Sequence, residues 1–262
     1  MAQVDVSIDG DLCTVTLNKA ERHNSLTLPF MRAIEGALAQ ACGSGAHLIL
    51  LKAEGRSFST GGDITGFLEQ AENSAALQDY AAELVGSLNR SLVAMITAPQ
   101  PIFVAAQGLV TGGAAGFLFA SDTCLMAEKA FLQPYYGEVG FAPDGGWTAL
   151  LPTIIAPRRT MDIISQNRRV SAREAFEMGI VDAVADADAF PTQTVAICDR
   201  ILSQDTETLA QAKKLIWTKD RCEQASRALE AERQAFLQAI TKPSCIEKMK
   251  AFVAPRKKAS TA

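Results

Sequence analysis

Between Pro101 and Ser121 the chain carries no charged side chain: P-I-F-V-A-A-Q-G-L-V-T-G-G-A-A-G-F-L-F-A-S, with Asp122 next. A run of that length has to be covered by lipid or by protein. Lipid requires about 20 predominantly apolar residues, whereas Gln107, Thr111, Gly108, Gly112, Gly113 and Gly116 interrupt this run. Burial in protein is the better reading, and the rest of the chain has to supply the cover. Ile102 to Ala106 predicts a buried strand, Gly108 a break, Gly112 and Gly113 a tight turn, and Ala114 to Ala120 a buried helix.

A glycine pair at such a turn lets a ligand approach the main chain closely. Amides that open the following helix point out unpaired, so backbone alone can hold an anionic oxygen there. That is half of an oxyanion hole, although the same glycines also suit a tightly packed helix. A second unit of the same design lies upstream. His47 to Ala53 predicts a buried strand, and E-G-R leads from it into F-S-T-G-G-D-I, Phe58 to Ile64. T-G-G-D alone is more often a turn than a site. Two strand-then-glycine-pair units in one chain make paired backbone donors a sharper expectation.

A third segment, Phe131 to Leu151, is rich in glycine and aromatic residues, and within it Asp144 stands between Pro143 and two glycines. An aspartate in P-D-G-G suits a turn or a helix N-cap as well as an acid/base. It precedes an apolar, helix-like run, so a helix N-terminus beside it is expected. Glu138 is the nearby alternative carboxylate.

The remaining pattern is regular. Val4 to Ile8 and Cys13 to Leu17 flank D-G-D as a hairpin, Asn18 to Asn24 is a polar loop, and Pro29 opens a helix. Ala75 to Ala98 predicts a long amphipathic helix, and Thr123 to Ala127 another strand. Ser171 with Glu174, and Ser244 with Glu247, fit capping boxes. After about Phe190 the pattern is nearly all helical. Two regions are expected: a mixed strand and helix core over 1–195 and a helical segment over 196–262.

Charge and cysteine usage narrow the function. A net charge of −4 leaves no global basic field for nucleic acid or an anionic membrane. Arg256, Lys257 and Lys258 form the one dense basic cluster, a solvated tail or a local phosphate contact. The six cysteines show no C-x-x-C spacing and no secretory leader precedes them, which reads as reduced thiols in a cytoplasmic enzyme. Two histidines, His23 and His47, give little material for a Ser-His-Asp triad or a zinc site, and no metal is expected.

With F-S-T-G-G-D-I, A-A-Q-G-L-V-T-G-G-A-A-G and G-F-A-P-D-G-G-W-T-A-L-L-P in this order, the chain resembles the enoyl-CoA hydratase/isomerase (crotonase) superfamily. The resemblance runs from the L-N-K-A-E-R-H-N-S-L loop to the A-F-V-A-P-R-K-K tail. It implies an α/β fold, a right-handed spiral of strand-strand-helix turns with a helical C-terminal segment used in trimer formation. It also implies an acyl-CoA thioester as substrate, CoA being part of that substrate with no further cofactor. Backbone amides of Gly62 and Gly113 would hold the thioester oxygen. Arg22 and the segment Thr60, Gly61, Gly62, Asp63 and Ile64 would border the CoA moiety, and Phe252 with the basic tail would approach its nucleotide, although Pro255 stands where lysine is often found.

The departures are in the acids. Hydratases of this family carry one glutamate three residues after the second oxyanion glycine, where this chain has Gly116, and a second that falls at Tyr136. Asp144 instead stands where 3,2-enoyl-CoA isomerases and epoxyphenylacetyl-CoA isomerases carry Glu or Asp. One carboxylate suffices to move a double bond, whereas water addition commonly uses a pair. The reading is therefore a 3-enoyl to 2-enoyl-CoA isomerase with Asp144 as acid/base. A hydratase using Tyr136 or Glu138, an epoxyphenylacetyl-CoA-type isomerase and a non-catalytic acyl-CoA-binding protein are the alternatives. Phe67, Leu68, Leu84, Tyr135, Tyr136, Phe141 and Trp147 suit a pocket lining or, more often, core. Apolar Leu215, Ile216, Trp217, Leu229, Phe236, Leu237 and Ile240 exceed what a short appendage buries against itself, pointing to a homotrimer or dimer of trimers.

Overall fold

The D-G-D signal is a two-residue hairpin: β1 (Val4–Asp9) and β2 (Leu12–Leu17) pair antiparallel, with Gly10 between them at φ 55. The structure, a computed structural model, describes residues 2–254. From the hairpin the chain runs through α1 (Leu28–Cys42), β3 (Leu48–Ala53), α2 (Ile64–Glu69), α3 (Ser74–Thr97), β4 (Ile102–Ala106) and β5 (Leu109–Thr111). A 3-10 turn over Gly112–Ala115 leads into the single-turn α4 (Gly116–Phe119), so the expected helix from Ala114 starts earlier and more tightly. Next come β6 (Thr123–Ala127), β7 (Phe131–Gln133), α5 (Tyr136–Val139), α6 (Leu151–Ile155), α7 (Pro157–Ser165), β8 (Val170–Ser171), α8 (Ala172–Glu177) and β9 (Ala183–Ala185). Four helices follow: α9 (Phe190–Leu202), α10 (Thr206–Ile216), α11 (Lys219–Ile240) and α12 (Pro243–Val253).

Two sheets grow side by side. The larger has the order β1-β2-β3-β4-β6-β9 and the smaller β5-β7-β8. Each strand pair, β4 with β5 and β6 with β7, places one strand in each sheet, which is the strand-strand-helix turn in its simplest form. Single bridges, Ser59 to Val110 and Leu26 to Gly62, carry the smaller layer back to the first glycine pair. From β2 onward every rung of the larger sheet is parallel, and such a sheet is buried on both faces. Accordingly Leu48, Leu50, Phe103 and Leu125 pack with Cys198 of α9, while Ile49, Leu51, Val104 and Met126 join the main core under α1 and α3.

Caps set several boundaries. The Asn73 side chain accepts from the amides of Ala75 and Ala76 to start α3, and Ser171 with Glu174 forms the expected capping box of α8. Ser244 caps nothing: Pro243, preset for a first helical position, starts α12 directly after Lys242.

The C-terminal helices fold back on the core. Buried Lys213 of α10 donates to the carbonyls of Met95 and Gln100 and to Asp122 at 2.7 Å, tying α10 to the α3–β4 connection. Leu229, Phe236, Leu237 and Ile240 are buried within the protomer, so they offer no surface for assembly, whereas Leu215 and Ile216 are exposed. Among the described residues no helix is long and apolar enough to cross a membrane, and no group of three His, Cys, Asp or Glu could hold a metal.

Asn24 holds the polar loop against the first glycine-pair segment. It is fully buried at φ 52, accepts from the Lys19 amide at 2.8 Å, and donates to the carbonyls of Glu54 and Ser57. Asparagine tolerates that left-handed backbone and fills all three partners. Asn24→Ala is expected to lower stability by about 3 kcal/mol or more, since each buried group left unpaired costs ~1–3 kcal/mol. Urea unfolding measures it, and a loss under about 1 kcal/mol would contradict the role.

Candidate active site

The two glycine pairs meet. Gly61 has φ 74, and a Cβ there would lie 2.5 Å from the Thr111 carbonyl oxygen, so only glycine lets the two turns approach this closely. The Ser59 amide donates to Leu109 and the Thr111 amide to Ser59, which locks the turns together. Beside them lies a cavity of about 240 Å³, lined by Gly62 and Gly113 and otherwise mostly by apolar side chains, with Thr60, Thr111, Tyr135, Tyr136 and Asp144 as the polar ones. The Gly62 amide has no acceptor among the described residues. The Gly113 amide lies at the second position of its 3-10 turn, before the first internal hydrogen bond, and no side chain caps it.

Asp144 lines the same cavity and is only 6 % exposed. A Cβ built on Gly113 would lie 3.0 and 3.3 Å from its two carboxylate oxygens. The phenol of Tyr136, at the start of α5, donates to Asp144 Oδ1 at 2.7 Å and to its carbonyl at 2.9 Å. Burial pushes the Asp144 carboxyl up to about 7; the Tyr136 hydrogen bond opposes this, and the nearby Glu232 carboxylate adds to it. Burial, and then the Asp144 charge, hold the Tyr136 phenol well above its ordinary range, so it serves as a neutral donor.

The expected helix N-terminus at Asp144 is not there. Residues after Asp144 form turns, and α6 begins only at Leu151. The amides freed by that turn are occupied by another anion. Glu232 of α11, 4 % exposed, accepts from the amides of Gly146 at 2.8 Å, Thr148 at 2.6 Å and Ala149 at 2.9 Å, and from the Thr148 hydroxyl at 2.7 Å. Burial pushes the Glu232 carboxyl up while these donors pull it down, and four donors on two oxygens fit the ionised form.

Gly116 has no room for an acid. A Cβ there would lie 2.3 Å from the Gly145 carbonyl oxygen and 2.8 Å from Leu92 Cδ1. Glu138 is exposed and receives the Asn167 side-chain amide at 2.6 Å, outside the cavity lining. Of the candidate lining, Phe67, Leu84, Tyr135, Tyr136 and Phe141 line the cavity; Leu68 and Trp147 do not. Among the expected CoA-bordering residues, Thr60, Gly62 and Ile64 line it too, while Gly61 supports the turn from behind. Neither Arg22 nor Asp63 lines the cavity; they pair with each other at 3.2 Å, with Arg22 half exposed. Phe252 of α12 lies edge-on to Tyr135 with ring centres 5.8 Å apart; Pro255 and the basic tail lie outside the described residues.

Glu232 and Phe236 were missed as site residues. The signal was present, because Leu229, Glu232, Phe236 and Ile240 follow one helical stripe that is otherwise apolar. A glutamate inside an apolar stripe needs buried partners.

The spiral of paired strands with its helical end is a crotonase fold. An enoyl-CoA hydratase structure from Bacillus halodurans matches it with a TM-score of 0.88 at 21 % identity, over 95 % of this chain and 100 % of that one. The family model for enoyl-CoA hydratase/isomerase matches residues 7–260, and the chain belongs to that family, whose members act on acyl-CoA thioesters. It is 27 % identical over 214 residues, 80 % of each chain, to the trans-2-decenoyl-[acyl-carrier-protein] isomerase of Streptococcus mutans. It is 28 % identical over 220 residues, 82 % of this chain and 83 % of the other, to a putative enoyl-CoA hydratase of Thermus thermophilus.

Asp144 binds its proton more tightly folded than unfolded, so its contribution to stability is fully present at low pH. That contribution is lost as pH rises through about 7. Asp144→Asn keeps the Tyr136 contact and removes the titration. The melting temperature of the variant relative to wild type is expected to climb between pH 5 and pH 8 in parallel thermal scans. A constant difference would contradict the buried ionisation.

Proposed function

We propose that the protein isomerises 3-enoyl-CoA thioesters to 2-enoyl-CoA thioesters, with Asp144 as the one acid/base. The observation that carries this is the Asp144 carboxylate beside Gly113, with a pKa near the working pH. The thioester oxygen sits between the Gly62 and Gly113 amides. Asp144 removes the proton from C2, the C2–H electron pair passes into the carbonyl, and the resulting dienolate oxygen is held by the two amides. The protonated carboxyl then returns the proton to C4, the double bond ends between C2 and C3, and no atom is gained or lost. A donor of this kind contributes about 2.7–4 kcal/mol to such a transition state.

A base poised near 7 both takes and returns a proton at neutral pH. Tyr136 lowers the cost of ionised Asp144, and burial raises it; the balance keeps both forms accessible. Hydration commonly uses a second carboxylate to handle water: Gly116 has none, Glu138 lies outside the cavity lining, and Tyr136 is a neutral phenol committed to Asp144. The name of the Streptococcus mutans relative supports double-bond movement on a thioester. The largely apolar lining, which includes Leu84, Leu88 and Phe236, favours a hydrocarbon acyl group. A trimer is part of the proposal, now resting on exposed Leu215 and Ile216 alone.

Asp144→Asn is expected to cut isomerisation of 3-hexenoyl-CoA by at least ~10³-fold and leave CoA-ester binding within about tenfold, since both oxyanion donors remain. Mass analysis of products from matched 3-enoyl and 2-enoyl thioesters decides the reaction. Predominant hydration by wild type, or wild-type turnover by the variant, would overturn the proposal. Light scattering should give a trimer mass or its double, and a monomer at micromolar concentration would exclude that part.

A further inference from the structure

The two oxyanion amides differ in how their peptide planes are held. In a planar trans peptide the C=O and N–H point in opposite directions, and the described chain has no cis bond. Whatever grips a carbonyl therefore aims the next amide. The Gly61 carbonyl accepts from the Leu26 amide at 2.8 Å, so the Gly62 amide is aimed by backbone pairing. The Gly112 carbonyl accepts from the indole nitrogen of Trp147 at 2.8 Å. The Gly113 amide is thus aimed by a side chain in addition to its 3-10 turn.

That peptide joins two glycines, with Gly112 at φ 54, and besides the indole only the short 3-10 turn that it opens holds it. Trp147 is 1 % exposed and does not line the cavity. Its ring is wedged edge-on against Phe119, with centres 5.3 Å apart, and against Tyr136 at 6.4 Å. Glu232 holds the amides on either side of it, those of Gly146 and Thr148. The donor is therefore rigid, and its only hydrogen bond goes to the carbonyl behind the oxyanion amide.

We propose that Trp147 is a positioning residue for the oxyanion hole, fixing the Gly112–Gly113 peptide so that its N–H stays on the thioester oxygen. This rests on the reading of Gly62 and Gly113 as oxyanion donors, not on which reaction the enzyme catalyses. Base and donor are then set by one short segment: Asp144 supplies the carboxylate and Trp147, three residues on, the orientation of the amide. A packing role alone would affect stability and substrate affinity without singling out the bound carbonyl.

The test uses hexanoyl-CoA labelled with ¹³C at the thioester carbonyl, whose stretching frequency falls when the oxygen accepts strong hydrogen bonds. Trp147→Phe keeps an aromatic ring and removes the donor. Benzothienylalanine incorporated at position 147 keeps the full shape and removes only the N–H. Both are expected to lose at least half of the frequency drop seen with wild type, while binding hexanoyl-CoA within about threefold. Turnover should fall ~10–100-fold with KM nearly unchanged, less than the ~10²–10³ of deleting a donor outright. If the benzothienylalanine protein keeps the wild-type frequency drop, the inference is wrong, whatever Trp147→Phe does. A wild type that lowers the frequency but forms no isomerised product would overturn the isomerase reading and leave this inference standing.

Discussion

The contact on which the site depends is between two stretches of backbone that side chains would hold apart. A Cβ on Gly145, at φ 62, would lie 2.4 Å from the Gly113 carbonyl oxygen, and one on Gly116 would lie 2.3 Å from the Gly145 carbonyl oxygen. Both glycines are therefore a requirement of close approach. That approach places the Asp144 carboxylate beside Gly113 and the Trp147 indole on the Gly112 carbonyl. A proton on the carbon next to a thioester carbonyl can be removed only by a base close to whatever holds the carbonyl oxygen. The glycine contact makes that geometry.

It also puts a charge where charge is costly. Asp144 is buried, and a second buried carboxylate, Glu232, is bonded to the amides of the same segment. Their fates differ because their donors differ. Glu232 collects four N–H and O–H donors, which offset part of the upward push of burial, and it serves as a structural anchor. Asp144 has one side-chain donor, Tyr136, and so retains an accessible proton equilibrium. The amides that a helix start would have offered to Asp144 are taken by Glu232. The segment gains an anchor from α11 and Asp144 keeps its basicity.

Much of this was legible in the residues. Strand pattern gave β4 and β6 to the residue, and two strand-then-glycine-pair units foretold that Gly62 and Gly113 would share a cavity. The motif alone left Asp144 open between a turn residue, an N-cap and an acid/base; its place beside Gly113, like the missing acid at Gly116, was legible only through the resemblance to the family. Long-range pairing was not. No local pattern says that Glu232 finds amides 83 to 86 residues away, or that Trp147 reaches back to Gly112. The same gap explains the error over Leu229, Phe236, Leu237 and Ile240. Their apolar stripe was visible, but its partner was α3 and the cavity of the same chain.

The central claim is that Asp144 exchanges the proton on the carbon beside a thioester held by Gly62 and Gly113. It is tested most directly without any double bond: incubate the protein with saturated hexanoyl-CoA in D₂O and follow deuterium entering C2 by mass. The account predicts exchange at C2 only, with a rate that rises with an apparent pKa near 7 and vanishes in Asp144→Asn. Exchange that persists in Asp144→Asn at the wild-type rate, or no exchange by the wild type at any pH, would contradict it.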